Sequence, residues 1–65
     1  MNRTQQAILR TATTRPAGTT VKCPNGRHTT RMAMEGLRKA GLVIYEVRDG
    51  WAGNWLTEAG LQEVR

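Results

Sequence analysis

The dipeptide Asp49-Gly50 constrains this chain more than any other two residues. A type I′ turn needs positive φ at both central positions, and Asp-Gly between two strand-forming runs is among the strongest short-range hairpin signals. Leu42 to Val47 is the first run and Trp51 to Leu56 the second. A two-residue loop sets the register: Arg48 pairs with Trp51, Val47 with Ala52, Tyr45 with Asn54, Ile44 with Trp55 and Val43 with Leu56. One face then carries Val43, Tyr45, Val47, Ala52 and Leu56, the other Ile44, Trp55, Trp51 and Arg48. Both are apolar enough to need cover.

Little chain is left to supply that cover. Sixty-five residues make a single domain, and one this small buries only about 60% of its unfolded surface. One cysteine, Cys23, excludes an internal disulfide, and Cys23 with His28 offers two ligands where a structural zinc site takes four. The expectation is a fold with no staple, metal or cofactor. No apolar run reaches the roughly 18 residues of a membrane span, and Met1-Asn2-Arg3-Thr4 leads into a polar helix rather than a signal-peptide core. A cytoplasmic protein with no membrane partner is expected.

The helices are signalled by their ends. Asn2 and Gln5 form a capping-box pattern, followed by a helix from about Arg3 to Thr14 with Gln5, Ile8, Leu9 and Ala12 on one face. Arg15-Pro16 ends it, because the residue before proline leaves the helical region. Pro16-Ala17-Gly18 is a loop, Thr19 to Cys23 is β-branched enough for a short strand, and Pro24-Asn25-Gly26 is a turn. The strongest helical pattern starts at about His28 or Thr29 and runs to Ala40. Thr30, Ala33, Leu37 and Ala40 repeat on one side, Met34 widens the stripe, and Gly41 stops it with Leu42 just beyond. Thr57 is an N-cap for a last short helix with Leu61 and Val64 as its apolar pair.

Charge points to a partner. Ten Lys and Arg against five Asp and Glu give a net charge of +5. Residues 1–31 hold six of the cations (Arg3, Arg10, Arg15, Lys22, Arg27, Arg31) and no acid, whereas residues 32–65 hold four cations and all five acids. A basic half of this kind suits a polyanion.

The order helix, short strand, helix, hairpin, helix resembles a winged helix-turn-helix domain of bacterial regulators. The likeness to the multiple-antibiotic-resistance repressor class lies in Gly36-Leu37-Arg38-Lys39-Ala40-Gly41-Leu42-Val43 and in Leu56-Thr57-Glu58-Ala59-Gly60, and it spans about residues 27–62. It implies an α+β fold, a small winged-helix domain of three helices with a short N-terminal strand and a two-stranded hairpin wing. It also implies a recognition helix in the major groove of double-stranded DNA, with Arg27, His28, Thr29, Arg31 and Met32 toward the duplex and Arg48 at the wing. The chemistry fits: Arg reads guanine O6 and N7 with two hydrogen bonds, and amides at a helix start suit a phosphate oxygen. The family's other helix of the pair is missing, since Thr19 to Cys23 reads as a strand, so the helix-turn-helix is truncated. Very small phage excisionases are similar in being basic, reduced winged helices.

Two function classes follow. One is a non-enzymatic DNA-binding protein, a transcription regulator or phage accessory factor. The other is an adaptor or inhibitor that seizes a host protein through Ile44, Trp51 and Trp55, because Trp is enriched in binding hot spots. A homodimer on that face is the third expected association. Catalysis is not expected: the chain has no serine, and nothing is placed to make His28 a base.

Overall fold

The computed structural model describes all 65 residues, in the order α1 (Arg3–Leu9), β1 (Thr13–Arg15), β2 (Gly18–Val21), α2 (His28–Lys39), β3 (Val43–Arg48), β4 (Trp51–Leu56) and α3 (Glu58–Glu63). It is an α+β domain with three helices and one antiparallel four-stranded sheet ordered β1-β2-β4-β3. The fourth strand, β1, was not expected. The opening helix stops at Leu9 instead of Thr14, and Thr13–Arg15 pairs with Gly18–Val21 around Pro16-Ala17.

The threonines explain that difference. Residues 11–14 include three of them, and a β-branched side chain loses rotamer freedom in a helix while its hydroxyl competes for backbone groups. The Thr11 hydroxyl donates to the Ile8 carbonyl at 2.6 Å and accepts from the Lys22 amide at 2.8 Å, which ties the end of α1 to the end of β2. The chain therefore turns into a strand before Pro16 can act as a helix stop. Ala12, placed on the apolar stripe of a longer helix, is exposed.

Elsewhere the local signals hold. Asn2 accepts from the Gln5 amide at 2.8 Å while Gln5 accepts from the Asn2 amide at 3.2 Å, which completes the capping box. Asp49 and Gly50 have φ of 51° and 75°, and all six residue pairs of the β3–β4 hairpin fall in the expected register. At the end of α2 the Gly41 amide bonds the Arg38 carbonyl and the Leu42 amide bonds the Leu37 carbonyl, each at 3.0 Å, with Gly41 at φ 77°. This is the Schellman arrangement, and Ala40 caps the helix exposed instead of joining its buried stripe.

The core lies between the helices and one face of the sheet. Ile8 and Leu9 of α1, Ala33, Met34 and Leu37 of α2, and Val21, Val43 and Leu56 of the sheet form one buried cluster, edged by Cys23, Leu42 and Leu61. Full burial of each large aliphatic side chain is worth about 1.5–3 kcal/mol. Val64, expected to pair with Leu61, is 39% exposed.

Trp55 is fully buried but belongs to a different layer. Side chains alternate across a strand, so Trp55 points away from Leu56 and from the helices. Its cover comes from the β1–β2 hairpin: Thr20 is its strand partner, and Gly18 faces the indole so closely that a Cβ there would lie 3.2 Å from it and 2.8 Å from Arg48 Nη1. The indole Nε1 donates to the Glu46 carbonyl at 2.9 Å. The sheet thus has an inner face under the helices and an outer face with a small core of its own.

Candidate nucleic-acid interface

Helix α2 is held from behind and open in front. Thr30, Ala33, Met34 and Leu37 face the core, so Arg31, Met32, Glu35 and Lys39 face water. Asn25 sets the entry angle, its side-chain oxygen accepting from the Arg27 amide at 3.0 Å and from the Thr30 hydroxyl at 2.6 Å. Arg27 sits at the N-cap with no side-chain cap, and the first turn holds no acid. The positive end of the helix dipole is therefore uncompensated.

Five of the six residues expected at DNA lie together here. Arg27, His28, Thr29, Arg31 and Met32 are all exposed, Met32 at 59%. Neither Arg27 nor Arg31 has a carboxylate partner.

The sixth residue, Arg48, lies elsewhere. It is on the outer face, with its guanidinium against the Glu46 carboxylate at 2.6 Å, donating to the Ala17 carbonyl at 3.2 Å and stacked 4.9 Å from the centre of the Trp55 ring. The sheet separates it from the open side of α2. The tip of the β3–β4 hairpin is Asp49-Gly50, which carries an acid.

The charge asymmetry of the sequence persists in three dimensions. Only two ion pairs form, Arg38 with Glu35 and Arg48 with Glu46. All six cations of residues 1–31 are free of carboxylate partners. Arg38 is also anchored by two hydrogen bonds to the Asn54 side chain, at 3.1 and 2.7 Å, which holds α2 to the hairpin.

Two of the three residues expected at a protein interface are exposed on the outer face, at opposite ends of the hairpin. Ile44 is 44% and Trp51 49% exposed, whereas Trp55 is buried and reaches no partner. Arg15, which the sequence placed at a helix end, stacks 4.1 Å from the centre of the Trp51 ring. A shallow cleft of about 300 Å³ runs between Arg15, Pro16, Ala17, Arg48, Asp49 and the two indoles. Sequence reasoning missed Arg15 because its own strand, β1, was read as the end of a helix. It also missed the exposure of Tyr45 and Val47, at 59% and 64%, whose face α2 covers only toward Val43 and Leu56.

No family model matches the chain, no curated protein matches it, and no solved structure matches it. No three His, Cys, Asp or Glu side chains are gathered to hold a metal ion, and no helix is long and apolar enough to cross a membrane.

Proposed function

We propose that this chain is a non-enzymatic DNA-binding protein of reduced winged-helix type, docking α2 in the major groove of duplex DNA. The observation that carries the reading is the open side of α2: exposed Arg27, His28, Arg31 and Met32 around a helix start with no acid and no side-chain cap. The unpaired cations supply electrostatic capture, and Arg27 and Arg31 then meet phosphate or guanine edges. Arg48 takes no part, since its charge is engaged on the outer face. The hairpin that follows Gly41 holds α2 in place through Arg38 and Asn54. A regulator or a phage accessory factor fits this design.

The test is binding to random-sequence duplex DNA over a range of salt concentrations. Affinity falls steeply with salt, and Arg27→Ala with Arg31→Ala together lowers the log–log slope by about two, one for each phosphate no longer neutralised. An unchanged affinity and slope in the folded double variant removes α2 from the interface.

One observation favours a second reading, an adaptor for another protein. Ile44 and Trp51 stand on a sheet face that no helix covers. For such an adaptor Trp51→Ala abolishes capture of the partner, whereas for the DNA binder it leaves duplex affinity intact.

A further inference from the structure

The sheet has two edges of opposite character. At one end β1 is only three residues long and runs into Pro16, features that blunt an edge against pairing. At the other end β3 is six residues long, with no proline and no lysine. Its exposed side chains include Ile44, Tyr45 and Val47 at 44%, 59% and 64% exposure. An unprotected edge of this kind is a template for another strand.

The hairpin register states which backbone groups are free. In a two-residue hairpin the residues flanking the turn exchange hydrogen bonds, so Arg48, Glu46 and Ile44 bond inward to β4. The Thr57 amide bonding the Leu42 carbonyl at 3.0 Å continues the same even-numbered series. The amides and carbonyls of Val43, Tyr45 and Val47 therefore point outward along the free edge.

We propose that the β3 edge pairs antiparallel with β3 of a second copy of this chain, about a two-fold axis at Tyr45. An antiparallel two-fold keeps each sheet face continuous, so a residue must sit opposite its own mate, and charge selects which one. Centring on Glu46 sets two carboxylates directly opposite one another, which is unfavourable. Centring on Tyr45 sets Tyr45 against Tyr45, Val43 against Val47 and Ile44 against Glu46. It also bonds every outward amide and carbonyl of the strand. A second copy thus matches Val43, Tyr45 and Val47 to themselves on one face and sets no like charges opposite one another on the other. The interface is small, so the association is micromolar or weaker. It needs no DNA, and it places both α2 helices on one side of the joined sheet.

Sedimentation over a concentration series without DNA, together with cysteine cross-linking, tests this. Tyr45→Pro removes an outward amide and no β3–β4 bond, and Tyr45→Lys puts a charge at the axis. Each weakens association about tenfold or more with unchanged circular dichroism, whereas Trp51→Ala has no effect. In a Cys23→Ser background, Tyr45→Cys forms a disulfide dimer on oxidation, because facing Cα atoms in such a pair are about 5.5 Å apart. Val47→Cys does not, its mates lying about 14 Å apart. A monomer at millimolar concentration, loss of association with Trp51→Ala, or equal cross-linking at positions 45 and 47 overturns the proposal. So does association with full strength in both folded Tyr45 variants. The DNA reading can fail while this pairing stands, since no nucleic acid enters the experiment.

Discussion

Gly60 lies directly against the carbonyl group of Leu42, and a Cβ on residue 60 has no room beside it. This contact is the hub of a lock between the two ends of the hairpin. The Thr57 amide donates to that same Leu42 carbonyl at 3.0 Å, the Thr57 hydroxyl donates to the Gly41 carbonyl at 2.6 Å, and the Gly60 amide donates back to the Thr57 hydroxyl at 3.2 Å. The obstruction is backbone, which cannot swing aside as a side chain can. Gly60→Ala is expected to cost about 1–3 kcal/mol, despite the better helix propensity of alanine. In a domain this size each kcal/mol lowers Tm by about 4–8 °C. The contrast is Gly36→Ala, where a Cβ meets only the end of the flexible Gln5 side chain at 3.0 Å. Its Tm holds or rises, and calorimetry on the two variants reads both signs.

The same lock explains why two short sequence patterns occur at this spacing. Gly41-Leu42 and Thr57 to Gly60 are far apart in the chain, yet each residue type answers the other: glycine for positive φ, threonine for two hydroxyl bonds, glycine for close approach. Such features were legible because they are local rules with fixed spacing. The Asp49-Gly50 turn propagated its register through six pairs for the same reason. What stayed hidden depends on which elements pair and pack. The fate of Thr13–Arg15 was decided by pairing with Gly18–Val21, which overrode a weak helical stripe. Strand alternation already put Arg48 on the Trp55 face, but that this face lies away from α2 depended on where the helices pack. At the candidate site the composition and exposure of the α2 start were readable. The absence of carboxylates near the cations was readable only as a count.

Arg48 offers a sharp separation of stability from binding. Its guanidinium covers the Trp55 ring, pairs with Glu46 and reaches the Ala17 carbonyl, while staying about a third exposed. Partial exposure limits the ion pair itself to a fraction of a kcal/mol, so most of the loss in Arg48→Ala is cover over the indole. We expect a total of about 1–2 kcal/mol. Denaturant unfolding followed by tryptophan fluorescence checks the loss. Duplex affinity and its salt slope, measured well below the new Tm, stay at the parent values.

The turn gives a prediction about the backbone alone. Gly50 has φ 75° and nothing within 4 Å of where a Cβ would lie, so space is not at issue. A left-handed conformation costs an L-residue roughly 1–2 kcal/mol. Gly50→Ala should therefore lower stability by about 1 kcal/mol without altering the register, and Asp49→Asn, which keeps the turn chemistry, should be near neutral. Cross-strand contacts between Arg48 and Trp51 in nuclear magnetic resonance spectra report whether the register is kept.

Thr29 tests whether the helix start is shaped for binding at the expense of stability. It is exposed, in the first turn of α2, beside Arg27 and Arg31, where the helix dipole favours a negative charge. A helix serving only the fold gains from an acid there, and this one has none. Thr29→Glu is expected to stabilise the domain by about 0.3–1 kcal/mol through the helix dipole. In the same variant duplex affinity falls, because the added carboxylate repels phosphate. Thr29→Gln separates charge from size, leaving stability and affinity close to the parent. Thermal unfolding and duplex titration on the three proteins give the two signs directly. A Thr29→Glu variant that is more stable and binds duplex as well as the parent places the DNA contact away from the start of α2.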